Sequence, residues 1–194
     1  LLPQLKGMKE VTLHTVVTQS GASAEKTRET FGFLNASTNI DTVLKNPDIN
    51  AVMIATRHDS HADICQRALK AEKFVLVEKP LALSRIEINH VIEARNQSSK
   101  FFQVGFNRRY APLSQMIRTH LTNQKGTKFI LLRINAGHIP ANNWIHSQDE
   151  GGGRILGEVC HFVDLARYFV GSPIQSLQAD AARVSGGCCD DLNV

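Results

Sequence analysis

The sequence predicts an α/β protein, with part of a doubly wound parallel sheet in residues 1–106 and part of an α+β domain in residues 107–194. Two observations favour this fold class. In the first half, short apolar runs alternate with stretches of helical periodicity, as in β-α-β units. After residue 106 the pattern changes, because the next apolar run, 127–135 (TKFILLRIN), is longer and alternates more clearly with polar residues.

The first half contains four predicted strands. They are rich in β-branched residues or continuously apolar, and they cover 11–18, 51–56, 74–77 and 101–106. Helices are expected between them. These are a helix capped by Ser23 that reaches about Gly32, a short helix over 38–44, and helices that begin at Ser60 and at Ser84.

The second half is expected to combine two helices with two strands. A helix over 112–123 precedes the strand over 127–135, and an irregular stretch follows. Apolar spacing then predicts a helix over 154–170 that ends at Gly171. A strand is predicted over 174–184, and no element is expected in 185–194.

Composition argues against several classes of protein. The net charge is only +4 and the basic residues are scattered, so no nucleic-acid partner is expected. The apolar runs span about five residues, whereas a membrane helix needs about 20, so no membrane association is expected. The four cysteines form no CxxC pair, which is typical of a reduced, cytoplasmic protein. Because the chain opens on Leu1 with no initiator Met and no signal peptide, we expect a piece of a longer protein.

Charged residues follow two predicted strands at their carboxyl ends, where doubly wound sheets bind ligands. Glu78-Lys79-Pro80 follows strand 74–77, and TRHDSH (56–61) follows strand 51–56. Lys79 can hydrogen-bond a hydroxyl group, and Pro80 can fix a tight turn with a cis peptide bond. The alternative is that both segments merely end strands and cap helices. His58 and His61 have no third ligand near them in sequence, so we expect no metal site.

Two further groups could carry chemistry. Glu158, His161 and Asp164 recur every three residues, so they lie near one side of the predicted helix. A carboxylate beside a histidine can orient it as a general base, although a core histidine flanked by surface acids gives the same pattern. Arg108 and Arg109 follow the last strand of the first half. Their guanidinium groups suit carboxylates and phosphates, and surface exposure is the alternative.

One expected motif is absent from the sequence. A dinucleotide-binding sheet opens with a strand and a GxGxxG turn, whose glycines let the pyrophosphate reach a helix N-terminus. The chain contains no such motif, and residues 1–6 look like the end of the helix that would follow it. Without that turn, the chain by itself should bind a dinucleotide poorly.

Three segments in order resemble the glucose–fructose oxidoreductase / inositol dehydrogenase / rhizopine catabolism (Gfo/Idh/MocA) family. They are 51–84 (AVMIATRHDSHADICQRALKAEKFVLVEKPLALS), 103–112 (QVGFNRRYAP) and 151–171 (GGGRILGEVCHFVDLARYFVG). The stretch 134–165 is most similar to a subgroup from polysaccharide and nucleotide-sugar biosynthesis. The resemblance implies an N-terminal Rossmann domain and a C-terminal domain with an open sheet. It also implies redox chemistry on sugars, nucleotide sugars or cyclic polyols with NAD or NADP.

The resemblance also implies roles for individual residues. Lys79 would contact the reacting hydroxyl and the nicotinamide ribose, and His161 would transfer the proton. The other implied cofactor contacts are Thr18, Ser20, Thr56, Arg57, His61, Glu78, Pro80 and Asn107. The implied substrate contacts are Lys79, Arg108, Trp144 and His161.

The chain departs from the family pattern at two places. Many members have an aspartate four residues before the histidine, where this chain has Gly157. The adjacent Glu158, about a quarter turn away on a helix, is therefore our candidate for the catalytic carboxylate. The strand end at 18–20 (TQS) has neither an acidic residue for the ribose nor an arginine for a 2′-phosphate, so it does not distinguish NAD from NADP.

The expected function is thus an oxidoreductase that transfers a hydride between NAD or NADP and a CH–OH group of a sugar-like substrate. A homo-oligomer is expected through the C-terminal sheet, with strand 127–135 contributing to that face. The alternatives are a non-catalytic fragment, or a sugar-binding or assembly module of the same fold.

Overall fold

Residues 2–181 and 192–193 are described by the structure, a computed structural model of the 194-residue chain. The strand predicted over 174–184 is confirmed only at Asp180–Ala181, which pairs with Leu192–Asn193 in an antiparallel arrangement. Residues 174–179 form no strand, and 182–184 lie outside the described residues. The pairing of 192–193 also contradicts the expectation of no element in 185–194, and the rest of that segment lies outside the described residues.

Three parallel strands lie at the centre of the first half. Their order is β3 (Ala51–Ile54), β4 (Phe74–Val77) and β5 (Phe102–Val104). Ile54 is paired with Val77, and Val77 with Val104, so the three strands end level with one another. Their carboxyl ends therefore form one edge of the sheet, and the segments that follow them are brought side by side.

Two helices cover this sheet, α4 (His61–Lys70) and α5 (Arg85–Gln97). The predicted start at Ser84 is confirmed by a capping box: its hydroxyl accepts from the Glu87 amide, and the Glu87 carboxylate accepts from the Ser84 amide. A short 3₁₀ turn over 58–60 precedes α4. The apolar core between sheet and helices includes Ile54, Leu69, Val75, Val77, Val91 and Ala94, all at most 3% exposed.

A second, two-stranded parallel sheet pairs β1 (Thr15–Val17) with β2 (Asn35–Ser37), and α2 (Gly21–Phe31) connects them. β1 is shorter than predicted, and β2 was not predicted because Asn-Ala-Ser has no strand-like side chains. Ser20, not Ser23, caps α2: the Ser20 hydroxyl accepts from the Ser23 amide at 3.2 Å. Two short helices complete this half, α1 (Leu2–Leu5) and α3 (Asp41–Leu44).

The second half contains α6 (Pro112–Asn123), as predicted, and α7 (Cys160–Val170). The helix predicted over 154–170 is confirmed, but its first turn, Ile155–Val159, is a π-helix. α7 ends as expected at Gly171, whose φ of 80° is left-handed and whose amide donates to the Arg167 carbonyl.

The predicted strand over 127–135 is wrong for the described part of the chain. Its residues make no backbone hydrogen bond there, and they have no regular structure. Phe129 is 91% exposed and Leu131 is 79% exposed. The alternating pattern is real, but a strand forms only beside another strand that shares its hydrogen bonds, and no described strand is paired with this segment.

Candidate active site

Two short segments continue β4 and β5 at the carboxyl edge of the central sheet. The Glu78 amide donates to the Ile54 carbonyl at 2.8 Å, and the Gly105 amide donates to the Val77 carbonyl at 2.7 Å. The Lys79–Pro80 peptide bond is cis. A Cβ on Gly105 would lie 3.1 Å from a Glu78 carboxylate oxygen, so the two segments are packed closely at this edge.

The helix α7 and the π turn before it close the edge from the other half of the chain. Together they leave a cavity of about 560 Å³. The Lys79 ammonium donates to the Gly157 carbonyl at 2.6 Å, which ties the end of β4 to the π turn. The cavity is lined by Lys79, Arg108, Arg133, Glu158, His161 and Phe162, among others. Four of the sequence-predicted residues thus share one cavity: Lys79, Arg108, Glu158 and His161.

His161 is the most enclosed of the polar side chains in this cavity. It is 8% exposed, and its Nδ1 is buried without a hydrogen-bond partner among the described residues. Burial lowers the pKa of His161, and the positive charges of Lys79 and Arg108 lower it further, against a smaller opposing effect of Asp164. The imidazole is therefore neutral at pH 7 and able to accept a proton.

Neither predicted carboxylate bonds to His161. Glu158 pairs with Arg154 one turn earlier, at 3.1 Å. Asp164, 8% exposed, is held by two hydrogen bonds from Arg109, which is therefore not a free surface arginine. Helical spacing correctly placed the three residues near one side, but both carboxylates are paired with arginines, Glu158 with Arg154 of the same helical run and Asp164 with Arg109 after β5.

Gly157 occupies the position at which the sequence resemblance led us to look for an aspartate. A Cβ there would lie 3.1 Å from His58 Cε1 and 3.4 Å from the side chain of Ile145. The position therefore has little room for a side chain, and only its carbonyl is used, by Lys79.

The segment after β3 is clamped to the second half of the chain. His58 is bonded through Nδ1 to the Gly151 carbonyl at 2.8 Å, and the Asp59 amide donates to the Glu150 carbonyl at 3.1 Å. Arg57 forms an ion pair with the Glu150 carboxylate. Burial lowers the pKa of His58, since the charged form would lose its solvation in the clamp.

Several residues predicted to touch cofactor or substrate have other contacts. Trp144 does not line the cavity; its ring meets the edge of His58 at 4.8 Å and the Arg57 guanidinium at 5.5 Å. His61 is 1% exposed, and its two nitrogens face the Pro80 and Thr56 carbonyls. It thus holds together the segments that follow β3 and β4.

The remaining predicted residues lie at strand ends. The Ser20 hydroxyl caps α2, and the Thr18 hydroxyl donates to the Ser20 carbonyl at 2.8 Å. Thr56 is exposed and accepts from Ser60 at 2.7 Å, and Asn107 opens an exposed 3₁₀ turn.

Sequence reasoning missed five residues of the cavity, which are Arg133, Ile134, Asn135, Ala136 and Phe162. Arg133 lies on the irregular segment after α6. Phe162 is on α7, and its ring centroid lies 4.6 Å from the guanidinium carbon of Arg108. Arg133 sits in an alternating run with no motif around it, so no local signal could identify it. Phe162 directly follows His161 in the sequence, and this position is the one signal that could have identified it as a cavity residue.

Within residues 2–181 and 192–193, no group of three His, Cys, Asp or Glu side chains is placed to hold a metal ion. In the same part of the chain, no helix has the length and apolar character needed to cross a membrane.

A parallel α/β sheet with a polar cavity at its carboxyl edge defines the class of Rossmann-type proteins. Comparison with known families is more specific. Residues 2–106 match the oxidoreductase family with an NAD-binding Rossmann fold, GFO/IDH/MocA, and residues 115–194 match a GFO/IDH/MocA C-terminal domain. The chain therefore belongs to the GFO/IDH/MocA oxidoreductase family, which confirms both the resemblance and the fold class.

Curated relatives include three bacterial proteins. The uncharacterized oxidoreductase YrbE of Bacillus subtilis is 32% identical over 72% of this chain and 41% of its own length. The myo-inositol 2-dehydrogenase of Thermotoga maritima is 25% identical over 92% of this chain and 53% of its own length. The levoglucosan dehydrogenase of Pseudarthrobacter phenanthrenivorans is 29% identical over 85% of this chain and 48% of its own length. The chain thus spans about half the length of the curated relatives it matches.

Solved structures share the fold. A levoglucosan dehydrogenase in complex with NADH and levoglucosan superposes with a TM-score of 0.75 at 24% identity, over 88% of this chain and 49% of that one. An oxidoreductase domain protein from Kribbella flavida superposes with a TM-score of 0.73 at 26% identity, over 82% of this chain and 45% of that one.

The described residues fit one half of a nicotinamide dinucleotide. His161 leaves a buried nitrogen without a partner, and Lys79 stands beside it at the edge where such sheets hold nucleotides. The glycine-rich turn that would hold a pyrophosphate is not in the printed sequence. The fit is therefore to the nicotinamide and its ribose.

Proposed function

We propose that this chain carries the reaction site of an oxidoreductase that moves a hydride between NAD or NADP and a CH–OH group of a sugar, nucleotide sugar or cyclic polyol. One observation carries the proposal: Lys79 from the sheet edge and His161 from α7 line the same cavity. The names of the relatives, an inositol and a levoglucosan dehydrogenase, support the substrate class.

The two residues have complementary tasks in this proposal. His161, neutral at pH 7, accepts the proton of the substrate hydroxyl when the carbinol is oxidised and returns it in the opposite direction. Lys79 is fixed by its bond to the Gly157 carbonyl, and its positive charge stabilises the negative charge that develops on the substrate oxygen. Glu158 is the third catalytic candidate because it lines the same cavity, and it is held there by Arg154 rather than by contact with His161.

The nicotinamide dinucleotide, when bound, supplies C4 as the hydride donor or acceptor. Around it we place Glu78, Lys79, Pro80 and Thr56 from the ends of β3 and β4. Asn107 follows β5 on the same edge, and Thr18 and Ser20 follow β1. His61 and Arg57 take part by holding these segments in place, which their contacts with backbone and with Glu150 support.

The test is made on the protein at the length its own cells produce. NADH and NADPH binding is measured by fluorescence, and turnover with NAD or NADP is followed by absorbance on a panel that includes myo-inositol and levoglucosan. We expect His161→Ala to lower kcat by about 10²–10⁴-fold with little change in nucleotide affinity. Lys79→Met should lower kcat to a similar extent and also weaken nucleotide binding, because Lys79 is placed beside the nucleotide as well as the reacting hydroxyl. The matched control is His90→Ala, an exposed histidine on α5, which should leave kcat unchanged.

Full turnover by His161→Ala would disprove its role in proton transfer. Sugar binding with no change in nicotinamide absorbance for any substrate would instead favour the binding module that the sequence left open.

Three wider expectations remain proposals. A division into two domains near residue 106 is supported by the two family matches on either side of it. Homo-oligomerisation through the C-terminal half is supported by the exposure of Phe129 and Leu131, and light scattering tests it. A cytoplasmic location is supported by the free thiols of Cys65 and Cys160, and cell fractionation tests it.

A further inference from the structure

The charges around the cavity are unbalanced. Lys79, Arg108 and Arg133 line it as cations, and Glu158 is its one carboxylate among the described lining residues. That carboxylate is already paired with Arg154, at 3.1 Å. Within the described part of the chain, none of the three cations forms an ion pair with an acidic side chain.

The arginines are placed to receive an anion. The guanidinium carbon of Arg108 lies 4.6 Å from the centroid of the Phe162 ring, a cation–π contact that leaves its N–H groups able to donate hydrogen bonds. Arg133 also lines this cavity and is exposed. Its side chain makes no hydrogen bond to any of the described residues. Planar guanidinium groups in this state bind carboxylates and phosphates through paired hydrogen bonds.

The positive field reaches the reaction site itself. Lys79 and Arg108 both contribute to lowering the pKa of His161. Like charges that converge on a cleft repel one another and attract counter-ions, so a ligand that brings negative charge is favoured over a neutral one. A cavity of about 560 Å³ has room for a monosaccharide with a charged substituent.

We propose that the substrate of this site is an anionic sugar, one that carries a carboxylate or a phosphate, bound by Arg108 and Arg133 while its reacting hydroxyl faces Lys79 and His161. The inference rests on the proposed function and narrows its substrate class. Neutral polyols lack the group that these two arginines would bind.

The test is a binding measurement without turnover, by calorimetry or ligand-observed NMR, on the protein at its native length. The probes are D-glucuronate, D-glucose 6-phosphate and, as the neutral reference, D-glucose. We expect at least one anionic probe to bind about tenfold or more tightly than glucose, with an advantage that shrinks as NaCl is added. The two anions separate carboxylate from phosphate recognition.

Variants assign the effect to the cavity. Arg108→Gln and Arg133→Gln should each reduce the affinity for the preferred anion by about tenfold and leave the glucose affinity within about twofold. Arg85→Gln, at an exposed arginine on α5, is the matched control and should change neither. Thermal unfolding of each variant verifies that it is folded.

Three results would overturn the inference. They are anionic probes that bind no better than glucose, an advantage unaffected by Arg108→Gln and Arg133→Gln, or complete loss of anion binding in the presence of saturating NADH. The last would assign the arginines to the nucleotide instead. A protein that binds the anion through the two arginines but transfers no hydride would refute the proposed function, and with it the anion's role as substrate, and would leave standing only the binding of an anion by Arg108 and Arg133.

Discussion

Removing the guanidinium of Arg109 should destabilise the chain by about 2–3 kcal/mol. Arg109 follows β5 and binds both carboxylate oxygens of Asp164 on α7, one turn after His161. Asp164 is 8% exposed, so Arg109→Met leaves a buried carboxylate without its partner. Breaking a buried pair in this way costs about 3–5 kcal/mol, and the 35% exposure of the Arg109 side chain places the value at or below the lower end.

A second substitution, at Asp164, distinguishes the loss of charge pairing from the loss of arginine packing. If the loss comes from the uncompensated charge, Arg109→Met combined with Asp164→Asn should be at least about 1 kcal/mol more stable than Arg109→Met alone. The measurement is urea unfolding followed by circular dichroism, with an unchanged m-value. Arg95→Met, at an exposed arginine of α5, is the control and should change stability by less than about 0.5 kcal/mol.

A double variant as unstable as Arg109→Met, or less stable, would refute the explanation by charge. It would show that the packing of the arginine, and not its pairing with the carboxylate, carries the stability.

Three further predictions follow from the same structure. Lys73 is 6% exposed and donates to two backbone carbonyls before β3, at 2.6 and 2.7 Å. Lys73→Met should therefore lower the free energy of unfolding in urea by about 2 kcal/mol. Lys70→Met, at an exposed lysine, should leave it nearly unchanged, and equal effects of the two variants would contradict this explanation. His58 and His161 have folded-state pKa values below the ordinary 6.5, so the unfolded chain binds more protons. Stability should therefore be full above about pH 6.5 and fall as the pH drops below that value through the folded pKa values, and glutamine at both positions should flatten the profile below about pH 6.5. A Cβ on Gly151 would lie 2.4 Å from the backbone of Ile145, in a 3₁₀ turn at Trp144–His146, so Gly151→Ala should lower the unfolding midpoint clearly, and an unchanged midpoint would show that the turn can move.

The sequence predicted the elements whose signals are local. Strand β4 was found at its bounds because four consecutive apolar residues between polar neighbours admit few alternatives. The start of α5 at Ser84 was found because a serine followed by apolar residues at helical spacing is a local signal, and the structure adds a capping box there. Lys79 and His161 were predicted as site residues because one follows a buried strand and the other lies on a helix with acidic neighbours at fixed spacing, and the structure places both in one cavity.

The features that were missed depend on distant partners. The run 127–135 has a good strand pattern, yet pairing depends on a neighbour that the pattern does not contain. Arg109 looked like a surface residue until α7 placed Asp164 beside it. His61 looked like a ligand-facing histidine, whereas both its nitrogens face backbone carbonyls of other segments. In each case the segment or side chain has the chemistry that the sequence indicates. What it pairs with or bonds to is set by residues that are distant in sequence.

In the proposed site, electrostatics also account for the lack of an aspartate at position 157. A carboxylate four residues before the histidine would bring negative charge next to His161, and the structure closes that position with His58 and Ile145. Lys79 is instead held by the backbone carbonyl of Gly157, which orients its amine without neutralising its charge. The positive field around His161 is therefore left for a ligand to balance. If the substrate supplies that charge, its binding raises the proton affinity of His161 at the moment the imidazole must accept a proton, so recognition of the anion and activation of the base are one electrostatic event.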